Sequence, residues 1–196
     1  MLDMIGNMLL LEQALQTLGA VLAQRGQRFE LVTIGGSSLM LLGLIVRPTR
    51  DLDVVALAES GHYLKANPLP EALREASRDV GETLGIGGDW LNAGPTDLLD
   101  FGLPAGFQQR VQIRRYHALT LHLAGRFDQI CFKLYATVDQ SMNSKHADDL
   151  RLLQPIPDEL LQAATWTRTH DPSVGFRTEL LAVLRAFGVE EADGIV

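Results

Sequence analysis

The sequence predicts an α/β fold: a small mixed β-sheet with helices packed on it, followed by a helical C-terminal region. Three observations predict it. Strand-like apolar runs and helical patterns intersperse up to about residue 123. From Phe127 onward the apolar spacing is helical throughout. The 196 residues are 46% hydrophobic and 21% charged, a composition ordinary for a chain that buries a real core. The expected division is an α/β core over 1–125 and a helical region over 126–196, packed together as one compact unit.

Each element has its own warrant. Leu11, Ala14, Leu15, Leu18, Val21 and Leu22 recur at helical spacing, so Met8 to Gln24 reads as a helix that Gly26 ends. Phe29 to Ile34 reads as a buried strand. Gly35-Gly36-Ser37-Ser38 reads as a turn before a short apolar helix, Leu39 to Leu42. Pro48-Thr49 marks a bend before a second strand, Arg50 to Leu57. Pro70 to Gly85 reads as an amphipathic helix, with proline near its start and glycine at its end. Residues 85–106 are irregular and rich in Gly, Pro, Asn and Asp, which suits a loop beside a site. Val111 to Ile113 and Leu119 to Leu123 alternate as strands do. Four helices follow, over Phe127–Gln140, His146–Leu153, Pro157–His170 and Val174–Gly188, punctuated by Pro155-Ile156-Pro157 and Asp171-Pro172.

Bulk properties exclude several classes. The net charge of −7 argues against duplex binding driven by overall charge, although Arg110, Arg114 and Arg115 fall in one segment. That segment suits a strand edge kept polar or a local basic patch. The single cysteine, Cys131, forms no internal disulfide and sits in an apolar helical pattern that suits a buried thiol. The longest apolar runs fall short of the roughly 20 residues that a spanning helix needs. The start has no basic stretch of a secretory signal, so a cytoplasmic protein with no membrane role is expected. The histidines have no metal-ligand spacing, and Trp90 and Trp166 suit packing better than base stacking.

Asp51 and Asp53 carry the chemistry. On a strand they share one face while Leu52 and Val54 share the other. Two neighbouring carboxylates resist burial and are tolerable where they meet solvent or a cation. Mg²⁺ takes oxygen ligands, usually one or two carboxylates, and leaves room for substrate phosphates. The glycine turn lets backbone approach a ligand closely, and Ser37 or Ser38 can cap the short helix or bond a phosphate oxygen.

Ile34-Gly35-Gly36-Ser37-Ser38-Leu39, followed by Arg47-Pro48-Thr49-Arg50-Asp51-Leu52-Asp53-Val54, resembles the signature of the DNA polymerase β-like nucleotidyltransferase superfamily. The Arg-x-Thr-x lead-in is similar to that of the minimal bacterial members, including toxins of abortive-infection-type toxin–antitoxin pairs. Phe132-Lys133-Leu134 and Lys145-His146-Ala147-Asp148-Asp149-Leu150 resemble a second element of that group. The resemblance implies an enzyme that moves a nucleotidyl group from an NTP to an acceptor hydroxyl of RNA, such as a tRNA end, or of a protein. A toxin-like role with an antitoxin partner goes with it. Asp51 and Asp53 would hold Mg²⁺. Gly35, Gly36, Ser37, Ser38 and Arg50 would bind the nucleotide. Lys133 would meet phosphate, and Asp148 would orient the lysine or complete the site. Asp148 and Asp149 point differently on a helix, so either is a candidate partner for the lysine.

The superfamily usually adds a third metal-binding carboxylate on a later strand. Neither candidate strand contains Asp or Glu, which leaves Asp97, Asp100 and Asp128 as candidates. The alternative readings are a catalytically degenerate fold that binds a nucleotide or a partner, and an enzyme that modifies a small molecule.

Overall fold

The computed structural model describes residues 8–190. They form a mixed α+β structure that divides into two compact units, one of residues 8–100 with 111–124 and the other of 101–110 with 125–190. The first unit holds the sheet. The second holds the C-terminal helices together with residues 101–110, a segment the sequence assigned to the core.

The first unit begins with α1 (Met8–Gln24), whose buried face is Leu11, Ala14, Leu15, Leu18 and Leu22. Next come β1 (Phe29–Ile34), α2 (Gly35–Leu41), β2 (Leu52–Glu59), β3 (His62–Lys65) and α3 (Glu71–Leu84). After them come β4 (Leu91–Asn92), a single 3-10 stretch (Gly94–Leu99), β5 (Gln112–Tyr116) and β6 (Leu119–Leu123). Among the described residues these make a six-stranded sheet of order β3-β2-β1-β6-β5, with β4 on β2. β1 runs antiparallel to β2 and parallel to β6, so the sheet is mixed. Leu31, Val32, Leu52, Val54, Val55 and Leu121 are buried at its centre.

Two features bring elements close together. A Cβ on Gly19 would stand 1.8 Å from the carbonyl oxygen of Tyr116, so only glycine lets α1 press against the β5–β6 hairpin. Trp90 is buried, and its indole N–H donates to the Ser77 carbonyl at 2.8 Å, which fixes α3 beside β4. Trp90 is thus a packing anchor. Gly85 ends α3 in the left-handed conformation, at φ 67°, as its position after the last apolar turn predicts.

Several elements differ from the sequence reading. The Gly35–Ser38 stretch is the first turn of α2 itself rather than a turn before it. β2 starts at Leu52, so Asp51 lies just ahead of the strand. β3 and β4 were not anticipated: β3 is four mostly exposed residues at a sheet edge, and β4 is two residues long. Neither is long enough to show alternation.

The second unit contains α4 (Phe107–Arg110), α5 (Arg126–Gln140), α6 (Lys145–Leu152), α7 (Pro157–His170) and α8 (Val174–Ala186). α5 is its centre, packed by α6, α7 and α8. Its buried positions include polar ones, Asp128, Gln129, Lys133 and Thr137, beside Ile130, Cys131, Phe132 and Leu134. Ser144 caps α6 by accepting from the Ala147 N–H, and Ser173 caps α8 by accepting from the Phe176 N–H. Cys131 is buried, and burial pushes its thiol far up from the usual range. Among the described residues no helix is long and apolar enough to cross a membrane.

Candidate functional site

The site is built where β1 leaves the sheet and β2 enters it. The antiparallel register sets Ile34 opposite Asp53, so the glycine turn after β1 meets the second aspartate directly. Gly35 has φ 77°, and a Cβ there would stand 2.3 Å from Asp53 Oδ2. Glycine is required twice over at this point, by the backbone angle and by the carboxylate. Gly36 is the next close approach: its Cβ position lies 3.1 Å from Thr49 Oγ1 and 3.4 Å from the Arg47 guanidinium. The pair of glycines therefore lets the Arg47-Pro48-Thr49 lead-in and the aspartates close down on α2.

Hydroxyl groups complete that clasp. Ser37 Oγ donates to the Asp51 carbonyl oxygen at 2.5 Å, and Thr49 Oγ1 donates to the same oxygen at 3.3 Å. Ser38 Oγ donates to Thr33 Oγ1 at 2.9 Å, inside the fold. Both serines are fully buried. Their hydroxyls hold the backbone of Asp51 and the end of β1, and a phosphate would have to displace these partners to reach them. Arg50, by contrast, is exposed.

Asp51 and Asp53 are each half-buried, while Leu52 and Val54 between and after them are fully buried. The alternation expected from the sequence is present at this strand entry. Asp53 Oδ1 also accepts from the Asn92 side-chain amide at 2.8 Å. Asn92 is its register partner across the parallel β2–β4 pairing. A neighbouring strand thus brings an amide, not a third carboxylate, to the side of Asp53. Asp97 and Asp100 pair with Lys65, at 3.4 and 2.7 Å.

The remaining candidates belong to the second unit. Lys133 is buried and pairs with Asp149, also buried, at 2.7 Å. Asp149, rather than Asp148, is the lysine's carboxylate. Asp148 is 67% exposed and pairs with Arg151 one turn on. Asp128 is fully buried against Arg110 at 2.5 Å. Burial pushes its carboxyl above the usual range, and the guanidinium only partly offsets this. The arginine segment thus divides: Arg110 is an internal ion-pair partner, whereas Arg114 reaches from β5 to the Leu41 carbonyl at 2.8 Å.

Among the described residues no three His, Cys, Asp or Glu side chains are grouped to hold a metal ion. Two carboxylates supply hard oxygens, and Mg²⁺ commonly takes one or two from protein and the rest from water and substrate phosphates. The pair fits an ion that arrives with a triphosphate, not a self-sufficient cage. Compared with protein-family models, with curated proteins and with solved structures, the chain matches none.

Sequence reasoning missed Asn92 and left Asp149 open. Asn92 lies on a two-residue strand with no pattern to mark it. Asp149 differs from Asp148 only in which side of α6 it faces, and the apolar positions Ala147 and Leu150 on either side do not separate them.

Proposed function

We propose that the chain is a Mg²⁺-dependent nucleotidyltransferase that moves a nucleotidyl group from an NTP to an acceptor hydroxyl. One observation carries the reading: Asp53, with Asp51 two residues before it, lies against the glycine-led start of α2, at the lip of an otherwise apolar strand. Asp51 and Asp53 would hold the metal, which when bound would neutralise triphosphate charge and stabilise the entering and leaving oxygens. Arg50, exposed beside the acids, and the Gly35-Gly36 backbone would orient the phosphates. The acceptor hydroxyl would give its proton to solvent as its oxygen forms a bond to the α-phosphorus and the bond to the bridging β-phosphate oxygen breaks, releasing pyrophosphate. Such a reaction asks the protein for positioning and charge compensation rather than for a covalent group of its own. Lys133 enters no step, because Asp149 already neutralises it.

The acceptor would be RNA, such as a tRNA end, or a protein hydroxyl. With RNA the enzyme would act as a toxin needing an antitoxin partner. The test incubates the protein with each α-labelled NTP, Mg²⁺ and total RNA or cell extract. Labelled product with the wild type and none with Asp53→Asn is expected. No product with any NTP, together with no thermal stabilisation by NTP and Mg²⁺, removes the proposal.

A second reading, a fold that binds nucleotide without turnover, is favoured by Asn92 standing beside Asp53 where a third carboxylate would complete a metal site. It predicts stabilisation by NTP without labelled product.

A further inference from the structure

A cavity of about 420 Å³ lies on the first unit, lined by Met8, Met40, Gly43, Leu44, Ile45, Val46 and Arg47. All but Arg47 are apolar. The backbone N–H groups of Gly43 and Leu44 are spent on the carbonyls of Met40 and Leu39, at 2.9 Å each, so this loop keeps its shape without a ligand. The volume is that of an ordinary small-molecule pocket.

Its position is as informative as its lining. Arg47 lines the cavity and also places its guanidinium 3.4 Å from the Cβ position of Gly36. Gly35, the next residue, abuts Asp53. Apolar cavity, cation, glycine pair and the Asp53 carboxylate are thus linked one to the next by close approach. That sequence of chemistries matches an elongated ligand with a flat apolar head and an anionic tail. The 330 Å³ pocket formed by Arg28, Phe29, Glu30 and Leu57–Ser60 has no such continuity, because it lies where β1 begins and β2 ends.

We infer that the Met8–Met40–Leu44–Ile45 cavity is the nucleobase subsite, with Arg47 spanning from it to the phosphates. This inference rests on the nucleotidyl-transfer reading and deepens it. The lining offers dispersion contacts and two methionine sulfurs, which suit an aromatic ring. It offers no set of side-chain donors and acceptors for a base edge. Selection is therefore by ring size: purine triphosphates bind about tenfold tighter than pyrimidine ones, and ATP and GTP differ little.

The test measures dissociation constants, with Mg²⁺, for ATP, GTP, CTP, UTP and inorganic tripolyphosphate on the wild type and on Leu44→Trp. Leu44 is only half-buried, so the larger ring enters the cavity without displacing core. Loss of ATP affinity by tenfold or more, with tripolyphosphate affinity unchanged, is the expected result. Equal ATP affinity in the two proteins overturns the subsite and leaves the transfer reading standing. Failure of the wild type to bind any NTP or tripolyphosphate overturns both. Photo-crosslinking of the unmodified protein with 8-azido-ATP gives a second readout that needs no variant. An adduct within residues 40–47 supports the subsite, and an adduct confined elsewhere overturns it.

Discussion

Two carboxylate arrangements contrast in this molecule. Asp51 and Asp53 are like charges on neighbouring outward positions, both half-buried at a strand's edge. Lys133 and Asp149 are opposite charges, both sealed, at 2.7 Å. The first arrangement is poor for stability, since two anions repel and give up hydration. The second is buried, and each charge answers the other at ion-pair distance. A pair that costs stability and stays reachable suits a ligand, while a pair that is satisfied and enclosed suits the fold. Both stood as candidates in the sequence, and burial separates them.

The largest expected effect breaks the sealed pair. Lys133→Met leaves Asp149 charged and buried and should cost about 3–5 kcal/mol of stability. Lys133→Met with Asp149→Leu removes both charges and should recover most of that loss. Chemical denaturation of the two single variants and the double variant measures the coupling. If Lys133→Met folds as stably as the wild type, the buried pair does not stabilise the fold.

The open pair should respond the other way. Asp53→Asn should lower transfer about 10²–10³-fold, equivalent to about 2.7–4 kcal/mol of transition-state stabilisation. Its folding stability should stay within about 0.5 kcal/mol of the wild type, because relief of repulsion offsets the weaker bond to Asn92. A variant that loses stability and activity together would make the aspartates structural and erase the contrast.

Much of this was legible in the sequence, for physical reasons that can be named. α1, β1, α7 and the start of α8 lie where periodicity put them, because each has a continuous apolar stripe and a clear stop such as Gly26 or Pro155. The adjacency of the glycine pair to Asp53 comes from the antiparallel β1–β2 register, which sets Ile34 opposite Asp53 across the connection of residues 35–51 that contains α2. β3 and β4 were not, since an exposed edge and a two-residue bridge leave no pattern. The inward aim of the Ser37 and Ser38 hydroxyls was not legible either. A serine at a helix start is equally able to bond a phosphate, its own helix or a neighbouring carbonyl, and only the Asp51 backbone position decides. Residues 101–110 were assigned to the core because nothing in a Gly- and Pro-rich segment reveals that Arg110 neutralises Asp128.

A smaller effect sharpens the description of the open pair. Gly35→Ala forces an L-residue to φ 77° and sets a methyl 2.3 Å from Asp53 Oδ2. The backbone strain alone is worth about 1–3 kcal/mol. The carboxylate must also move, so transfer should fall further than the stability loss explains. Gly26→Ala has the same sign of φ, at 67°, and nothing within 4 Å of the added methyl. It supplies the control for backbone strain without the carboxylate. Equal behaviour of the two variants in transfer assays would show that the Gly35 contact does not position Asp53.

The smallest effect asks whether the second unit, which buries Lys133 and Asp149 as a pair, disfavours a cation set among aromatic rings. His170 is 9% exposed, with ring centroids of Trp166 at 4.3 Å and of Phe101 and Tyr135 at 5.4 Å. Burial lowers its pKa below the ordinary value of 6.5, and the Gly102 carbonyl at 3.3 Å only partly opposes this. The folded protein therefore keeps the ring neutral where the unfolded chain takes up a proton. Unfolding then binds protons, so the contribution is complete above the unfolded value of 6.5 and is lost as pH falls below it through the folded value. Thermal unfolding of the wild type and of His170→Phe, which cannot titrate, isolates this group from the other histidines. The wild type should lose Tm relative to the variant on going from pH 8 to pH 5. A constant difference across that range would mean that the imidazolium is as well accommodated in the aromatic cluster as in water.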